Sequence, residues 1–335
     1  MTLKDFSYEL PERLIATQPA EPRDHARLMV VHRDSATIEH ALFKDLGRWL
    51  GAEDLLILNK SKVIPARLPA EQGAVEIFLL EETSPLHWLA IGKPSKKLKP
   101  GMRLRLVTPQ PDMTPPEVEV LKTLPDGRRV IRFFEPVDLE RFGGVPLPPY
   151  IEEARRERNL PIVQPEDKVW YQTVYAEEAG SVAAPTAGLH FTPELLQKFP
   201  HAFITLHVGL GTFRPVKTQR LEEHVMHAEK YSIPAGLAEK AARAKRVISV
   251  GTTVARVLEA VPSLQPSTGQ TDIFIYPPYR FKRVDAMITN FHLPGSSLLM
   301  LVAAFMGLEL QRKAYEEAIR QEYSFYSYGD AMLIL

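Results

Sequence analysis

Five stretches of this sequence concentrate side chains that could do chemistry. In Gly180–Thr192, GSVAAPTAGLHFT, only Thr186, His190 and Thr192 carry useful polar groups, and the small residues around them would let a ligand approach the backbone. Thr192-Pro193-Glu194 predicts a helix start with Thr192 as N-cap, and a helix N-terminus beside a histidine suits an anion or carboxylate. A tight core loop, with His190 satisfied by a backbone carbonyl, would use the same residues. His207–Val216, HVGLGTFRPV, carries Gly209 and Gly211 after an apolar run, half of a dinucleotide fingerprint. The third glycine is missing and Phe213-Arg214-Pro215 stands where a helix should begin, so a Gly-opened pocket edge flanked by His207 and Arg214 fits better.

HVMHAE at 224–229 sets His224 and His227 near Glu229, but a closed zinc site needs four ligands and no fourth is evident. Hydrogen-bonding histidines and no metal are the expectation. VISVGTTVARVLE at 247–259 predicts strand, turn and helix, where Gly251, Thr252 and Thr253 either meet a ribose, carboxylate or phosphate or merely cap the helix. It lacks the lysine and spacing of a P-loop. Between Ile273 and Ser297, Tyr276, Tyr279 and Phe281 interleave with Arg280, Lys282 and Arg283, which suits bases and phosphates of loop nucleic acid or a solvated loop. Lys93–Lys99 (KPSKKLK) and Arg155–Arg158 are further basic clusters.

The elements that must hold these residues fall into two textures. Strands are predicted at Arg27–His32 and Asp54–Leu58 and a helix near Phe43–Leu50, stopped by Gly51. Residues 67–149 then alternate short β-rich runs (Val75–Leu80, Trp88–Gly92, Met102–Val107, Glu117–Leu121, Val130–Phe134) with Pro/Gly turns, and PDG at 125–127 marks a hairpin. Five or six antiparallel strands in this stretch predict a small inserted barrel. From residue 150 strand and helix alternate: Phe203–Val208, a helix over Ala235–Arg246, Val247–Val250, a helix over Val254–Val261, Ile273–Tyr276, Ala286–Ile288, helices over Ser297–Gly307 and Glu309–Glu322, and Ala331–Leu335 closing the sheet. The fold class is therefore α/β: a discontinuous α/β main domain (1–66 and 150–335) with a small antiparallel β-barrel domain (67–149) inserted.

Composition narrows the chemistry. The 335 residues contain no Cys, which removes thiolate nucleophiles, thiolate zinc sites and cysteine-ligated iron–sulfur clusters. Lys+Arg and Asp+Glu balance at 41 each, so attraction to a polyanion must come from local patches. The longest apolar run, Leu298–Met306, is far short of the ~20 residues of a membrane span, and the N-terminus lacks an apolar signal segment. A soluble, cytoplasmic enzyme is expected.

Read together, the stretches resemble the S-adenosylmethionine:tRNA ribosyltransferase-isomerase family of queuosine biosynthesis. The similarity runs nearly end to end: FSYELPERLIA at 6–16, RDHARLM at 23–29, KVIPARL at 62–68, YQTVYA at 171–176, GSVAAPTAGLHFT, HVGLGTFRPV, HVMHAEKY at 224–231, VGTTVARVLE, IYPPYRF with VDAMITNFHLP, and YSYGDAML at 326–333. Two departures stand out. Asn59-Lys60-Ser61 replaces the usual Asn-Asp-Thr, which speaks against an essential acid at 60, and Gly73-Ala74 replaces a glycine pair.

The resemblance implies transfer of the ribosyl part of S-adenosylmethionine to the aminomethyl group of 7-aminomethyl-7-deazaguanine at the wobble position of a tRNA with a GUN anticodon. Rearrangement would give epoxyqueuosine and release adenine and methionine, with S-adenosylmethionine a consumed substrate and no cofactor. A general base and a proton donor are needed, and imidazoles suit both tasks near neutral pH. The catalytic candidates are His190, His207, His292 and Asp285, with Glu229 and Asp330 as further carboxylates. Thr186, Thr192, Gly209, Gly211, Thr212, Gly251, Thr252, Thr253, Asn290 and Glu229 are expected around S-adenosylmethionine. Lys93, Lys96, Lys97, Lys99, Tyr279, Arg280, Phe281, Lys282 and Arg283 are expected to contact tRNA. A monomer is expected. A tRNA methyltransferase would share donor and partner but leave S-adenosylhomocysteine, a transglycosylase would need cysteine-ligated zinc, and a non-enzymatic tRNA binder would not need so many Gly-rich strand ends.

Overall fold

The computed structural model describes residues 1–110, 112–209, 218 and 220–335. Two compact units emerge: residues 1–61, 148–178 and 184–335 form one, and 62–147 with 179–183 the other. The larger unit is built on a nine-stranded sheet in the order Ser267–Thr271, Glu229–Ile233, His201–Leu206, Asp54–Asn59, Arg246–Val250, Ala286–Asn290, Ala331–Ile334, Arg27–His32 and Thr37–Leu42. The four central strands from His201–Leu206 to Ala286–Asn290 run parallel, in registers such as His201↔Leu56, Arg246↔Asp54 and Ile248↔Ala286. Continuous burial along Asp54–Asn59 and Ala286–Asn290 is what a parallel strand covered on both faces demands, and it explains their apolar runs.

Ala331–Ile334 does more than close the sheet. It runs antiparallel to Ala286–Asn290 and parallel to Arg27–His32, so it joins the parallel half to the Arg27–Leu42 hairpin from an interior position. One helix, Ser297–Met306, is buried along almost its whole length and is capped by Ser296, whose hydroxyl accepts the Leu299 N–H at 3.2 Å. The next, Leu308–Arg320, buries only Gln311, Ala314, Tyr315 and Ala318, the stripe expected of an amphipathic helix.

Three expected elements differ. The aromatic run Ile273–Tyr276 is not a strand; Ser267–Thr271 pairs with Glu229–Ile233 instead, while the Phe274 ring packs 4.8 Å from Tyr276 and 5.0 Å from His224. Apolar content there serves packing ahead of Pro277-Pro278, where a ladder cannot continue. Phe43–Arg48 forms a 3-10 helix, not an α-helix. The Leu237–Arg243 helix stops short of Arg246 because that residue already opens the next strand.

The smaller unit is a six-stranded antiparallel sheet in the order Arg67–Ala70, Val75–Ser84, His87–Lys93, Arg129–Phe133, Glu117–Thr123 and Arg103–Arg105. An Ala70↔Leu106 bridge ties its two edges, nearly closing a barrel. Val75, Ile77 and Leu79 alternate inward along one strand, and Val118, Val120, Ile131 and Phe133 fill the same interior. The PDG hairpin forms as read, with Gly127 at φ 86°.

Candidate active site

Parallel strands deliver their C-terminal ends to one edge of the sheet, and open α/β sheets bind ligands there. The edge is formed by Val208 after one strand, Gly251–Thr253 after the next but one, and Asn290–Leu293 after its neighbour. Tyr326 and Ser327, which precede the antiparallel Ala331–Ile334 strand, reach the same edge. These residues, with Tyr150, Ala184–Ala187, Thr289 and Leu298, line a pocket with a narrow cavity of about 40 Å³. Of the expected residues, Thr186, Gly251, Thr252, Thr253, Asn290 and His292 line it.

Local sequence explains the shape. Gly251 holds φ 99°, which only glycine adopts without strain, and turns the chain from strand into the Thr252–Ala260 helix. That helix start has no side-chain cap, so its first N–H groups remain for a ligand or water. Gly188 is fixed differently: a Cβ there would sit 1.8 Å from the Tyr175 hydroxyl. Thr186–Gly188 is consequently pressed against the YQTVYA segment, and Ala187 lies 3.7 Å from a Cβ built on Gly251. Tyr326 holds φ 72°, unusual for a bulky side chain, and its ring lies 4.8 Å from Tyr150. Backbone strain of this kind persists where the surroundings over-determine it.

Two histidines stand at the site in different ways. His292 turns its Nε2 to the Thr289 hydroxyl at 2.7 Å, its N–H donates to the Tyr315 hydroxyl at 2.9 Å, and its carbonyl accepts from the Tyr8 hydroxyl. Burial pushes its imidazole down to about 3. His190 stacks 5.1 Å from Phe43 and lies behind the wall, with Nε2 3.2 Å from the Asn290 side-chain nitrogen. Burial, with the Arg23 guanidinium adding to it, pushes His190 down to about 4. Both imidazoles are therefore neutral at pH 7, the form that can accept a proton but has none to spare as an acid; the expectation of imidazoles poised near neutrality does not hold here.

Other expected residues do structural work. Asp285 is at the wrong end of its strand: its carboxylate accepts the Val247 N–H at 2.8 Å at the N-terminal edge, five residues before Asn290, or roughly 17 Å away in an extended strand. Thr192 caps the Pro193–Leu196 turn by accepting the Leu195 N–H at 3.2 Å. Glu229 is buried against Arg256 and accepts the Gly209 N–H at 3.0 Å, so it anchors the Gly209 segment. Asp330 accepts the Arg27 and Ser324 N–H groups at 2.7 Å. His207 is half-buried beside the pocket-lining Val208, with its N–H on the Lys230 carbonyl. Gly211, Thr212 and Arg214 lie outside the described residues. Among the described residues no three His, Asp or Glu side chains are grouped to hold a metal, and no helix is long and apolar enough to cross a membrane.

The basic clusters separate as clearly. Glu259 ends the Thr252–Ala260 helix and gathers the Lys282, Arg283 and Val284 N–H groups and the Tyr279 hydroxyl, while the Arg283 guanidinium donates to the Leu258 and Pro262 carbonyls. Phe281 packs on Phe305 at 4.8 Å. Tyr279, Phe281 and Arg283 are thus spent on folding their own loop at the far end of that helix from the pocket, and only Arg280 and Lys282 stay exposed. Arg155 is fully buried in a two-pronged pair with Asp167, both contacts 2.7 Å, and Arg158 donates to three backbone carbonyls. In the smaller unit, by contrast, Lys93, Lys96, Lys97 and Lys99 are all exposed on a loop pinned by buried Leu98 and by Arg129, which donates to the Leu98 and Ser95 carbonyls.

Reasoning from sequence missed Tyr150, Thr289, Phe291, Tyr326 and Ser327, and passed over Tyr8 and Tyr315. The motifs FSYELPERLIA and YSYGDAML contained three of them, but only the fold shows that they converge on His292 and Asn290.

The family described as Queuosine biosynthesis protein matches residues 3–334. Among curated relatives, the S-adenosylmethionine:tRNA ribosyltransferase-isomerase of Thermotoga maritima is 47% identical over 353 residues and that of Aquifex aeolicus 48% over 351, each alignment covering 100% of both chains. The protein of the same name from Rubrobacter xylanophilus is 48% identical over 344 residues, covering 100% of this chain and 98% of the relative. A crystal structure of S-adenosylmethionine tRNA ribosyltransferase from Thermotoga maritima superposes with a TM-score of 0.55 at 38% identity, covering 99% of this chain and 100% of that one.

Proposed function

Since this chain belongs to the queuosine biosynthesis family, we propose that it is an S-adenosylmethionine:tRNA ribosyltransferase-isomerase. Its substrates on this reading are S-adenosylmethionine and a tRNA with a GUN anticodon bearing 7-aminomethyl-7-deazaguanine. It attaches the ribosyl group to the aminomethyl nitrogen and rearranges it to epoxyqueuosine, releasing adenine and methionine. No cofactor is invoked. The observation that carries the reading is full-length identity of nearly half to relatives of that name, joined to a pocket at the strand edge where the matching motifs meet.

The pocket's chemistry supports a sulfonium nucleoside. Among the described residues its lining has no charged side chain, and the aromatic side chains of Tyr150 and Tyr326 stand in the wall, where a ring can attract a cation. N–H groups at Thr252 and Thr253 suit the ribose or the amino-acid carboxylate. The sulfonium acidifies the adjacent C5′ hydrogens. His292, in the wall, is our candidate to accept one of them, as a base that burial weakens relative to a free imidazole; attack by the tRNA amine and departure of adenine and methionine follow. The exposed lysines at 93, 96, 97 and 99 are the proposed tRNA contacts.

The methyltransferase alternative has no support among the relatives. Supplying S-adenosylmethionine and the modified tRNA, then separating the small products, tests the reading: free adenine supports it, S-adenosylhomocysteine opposes it.

A further inference from the structure

Asn290 is 2% exposed and lines the pocket. Its side-chain nitrogen lies 3.2 Å from His190 Nε2 and 3.2 Å from the Tyr326 carbonyl oxygen, so both amide hydrogens have acceptors. Its side-chain oxygen has no partner among the described residues. The opposite amide orientation is disfavoured, because it would set that oxygen against the Tyr326 carbonyl, which can only accept. Buried acceptors left unpaired are rare, and one in a pocket wall points to a donor that arrives from outside.

We propose that the Asn290 oxygen accepts a hydrogen bond from an N–H or O–H donor on the nucleoside part of S-adenosylmethionine, and that His190 is the positioning residue that keeps it turned that way. The proposal rests on the reaction assigned above. His190 does this as a neutral imidazole protonated on Nδ1, with Nε2 receiving the amide hydrogen; its place behind Asn290, outside the pocket lining, fits positioning better than proton transfer. Two donors have the required chemistry, the 6-amino group of adenine and a ribose hydroxyl.

The test is calorimetric binding of S-adenosylmethionine and of analogues lacking the 6-amino group, the 2′-hydroxyl or the 3′-hydroxyl. The proteins are the full chain and its Asn290→Leu, His190→Leu and His190→Gln variants. One deletion should weaken binding to the unaltered chain about tenfold or more, and to Asn290→Leu about twofold or less, because the partner is already gone. Which analogue does so identifies the donor. His190→Gln, whose side-chain oxygen can take the same amide hydrogen, should keep the discrimination, and His190→Leu should lose it. Equal losses in the unaltered chain and Asn290→Leu for every analogue overturn the proposal, as does failure of the unaltered chain to bind S-adenosylmethionine. Ribosyl transfer by the unaltered chain, assayed alongside, separates the two readings: transfer with equal losses sinks only this proposal, and discrimination without transfer sinks only the reaction.

Discussion

The Tyr315 hydroxyl accepts the His292 backbone N–H at 2.9 Å, while Tyr8 gives its own hydroxyl to the carbonyl of the same residue. Both polar groups of a buried strand-end residue are thus satisfied by side chains from the N-terminal segment and the Leu308–Arg320 helix. The two rings meet edge to face at 5.1 Å. Replacing either tyrosine by phenylalanine should cost roughly 1–3 kcal/mol in urea unfolding, the penalty for a buried group left unpaired. Single-turnover ribosyl transfer should slow on the order of tenfold or more, since the imidazole loses its fixed backbone. Unchanged stability and rate in both variants would show that the clamp does not position His292.

Burial of the two imidazoles gives stability a pH dependence of defined sign. Both are held neutral, with His190 down to about 4 and His292 down to about 3 from an ordinary 6.5. Above pH 6.5 neither state takes up these protons and the contribution is whole. Below it the unfolded chain binds protons that the folded chain refuses, so stability falls until each folded value is reached. The slope is about 1.4 kcal/mol per pH unit for each histidine. Urea unfolding of His190→Gln at pH 6.5 and pH 5 should lose about 2 kcal/mol less than the parent chain; parallel losses would contradict the assignment.

At Gly188 the constraint is steric. Alanine there would place Cβ 1.8 Å from the Tyr175 hydroxyl and 2.9 Å from the ring carbon that bears it. Gly188→Ala should destabilise by roughly 1–3 kcal/mol through overpacking. Tyr175→Phe in the same chain should recover part of that loss, giving a double-mutant cycle with a favourable coupling; additive losses would mean the clash is relieved elsewhere.

The contrast between Asp285 and Asn290 shows what was legible in the sequence. Apolar runs, Gly and Pro punctuation and the PDG turn announced most strands and the barrel, because those signals are local. Asp285 and Asn290 lie at opposite ends of one short segment of chain, and the strand between them carries one to each edge of the sheet; no spacing rule tells which end faces the pocket until the parallel order is known. The basic, aromatic 279–283 loop misled for a related reason. Its tyrosine and one arginine are consumed by Glu259 and by the end of a helix, partners that lie twenty or more residues away. Tyr8, Tyr315 and Tyr326 reach the site from three separate segments, a convergence no single stretch reveals.

The lysine loop of the smaller unit carries a prediction about tRNA. Four exposed lysines that neutralise phosphates would each release condensed counterions, so replacing one by glutamine should lower the salt dependence of binding by about one unit of slope. Filter binding between low and moderate salt measures it. An unchanged slope in the fourfold variant would remove this loop from the interface.

The central claim is most directly tested by product identity. Incubated with S-adenosylmethionine and tRNA carrying 7-aminomethyl-7-deazaguanine, the chain should release adenine and methionine in equal amounts while the tRNA gains the epoxy-cyclopentanediol group. S-Adenosylhomocysteine as the sole nucleoside product, with no free adenine, would contradict it.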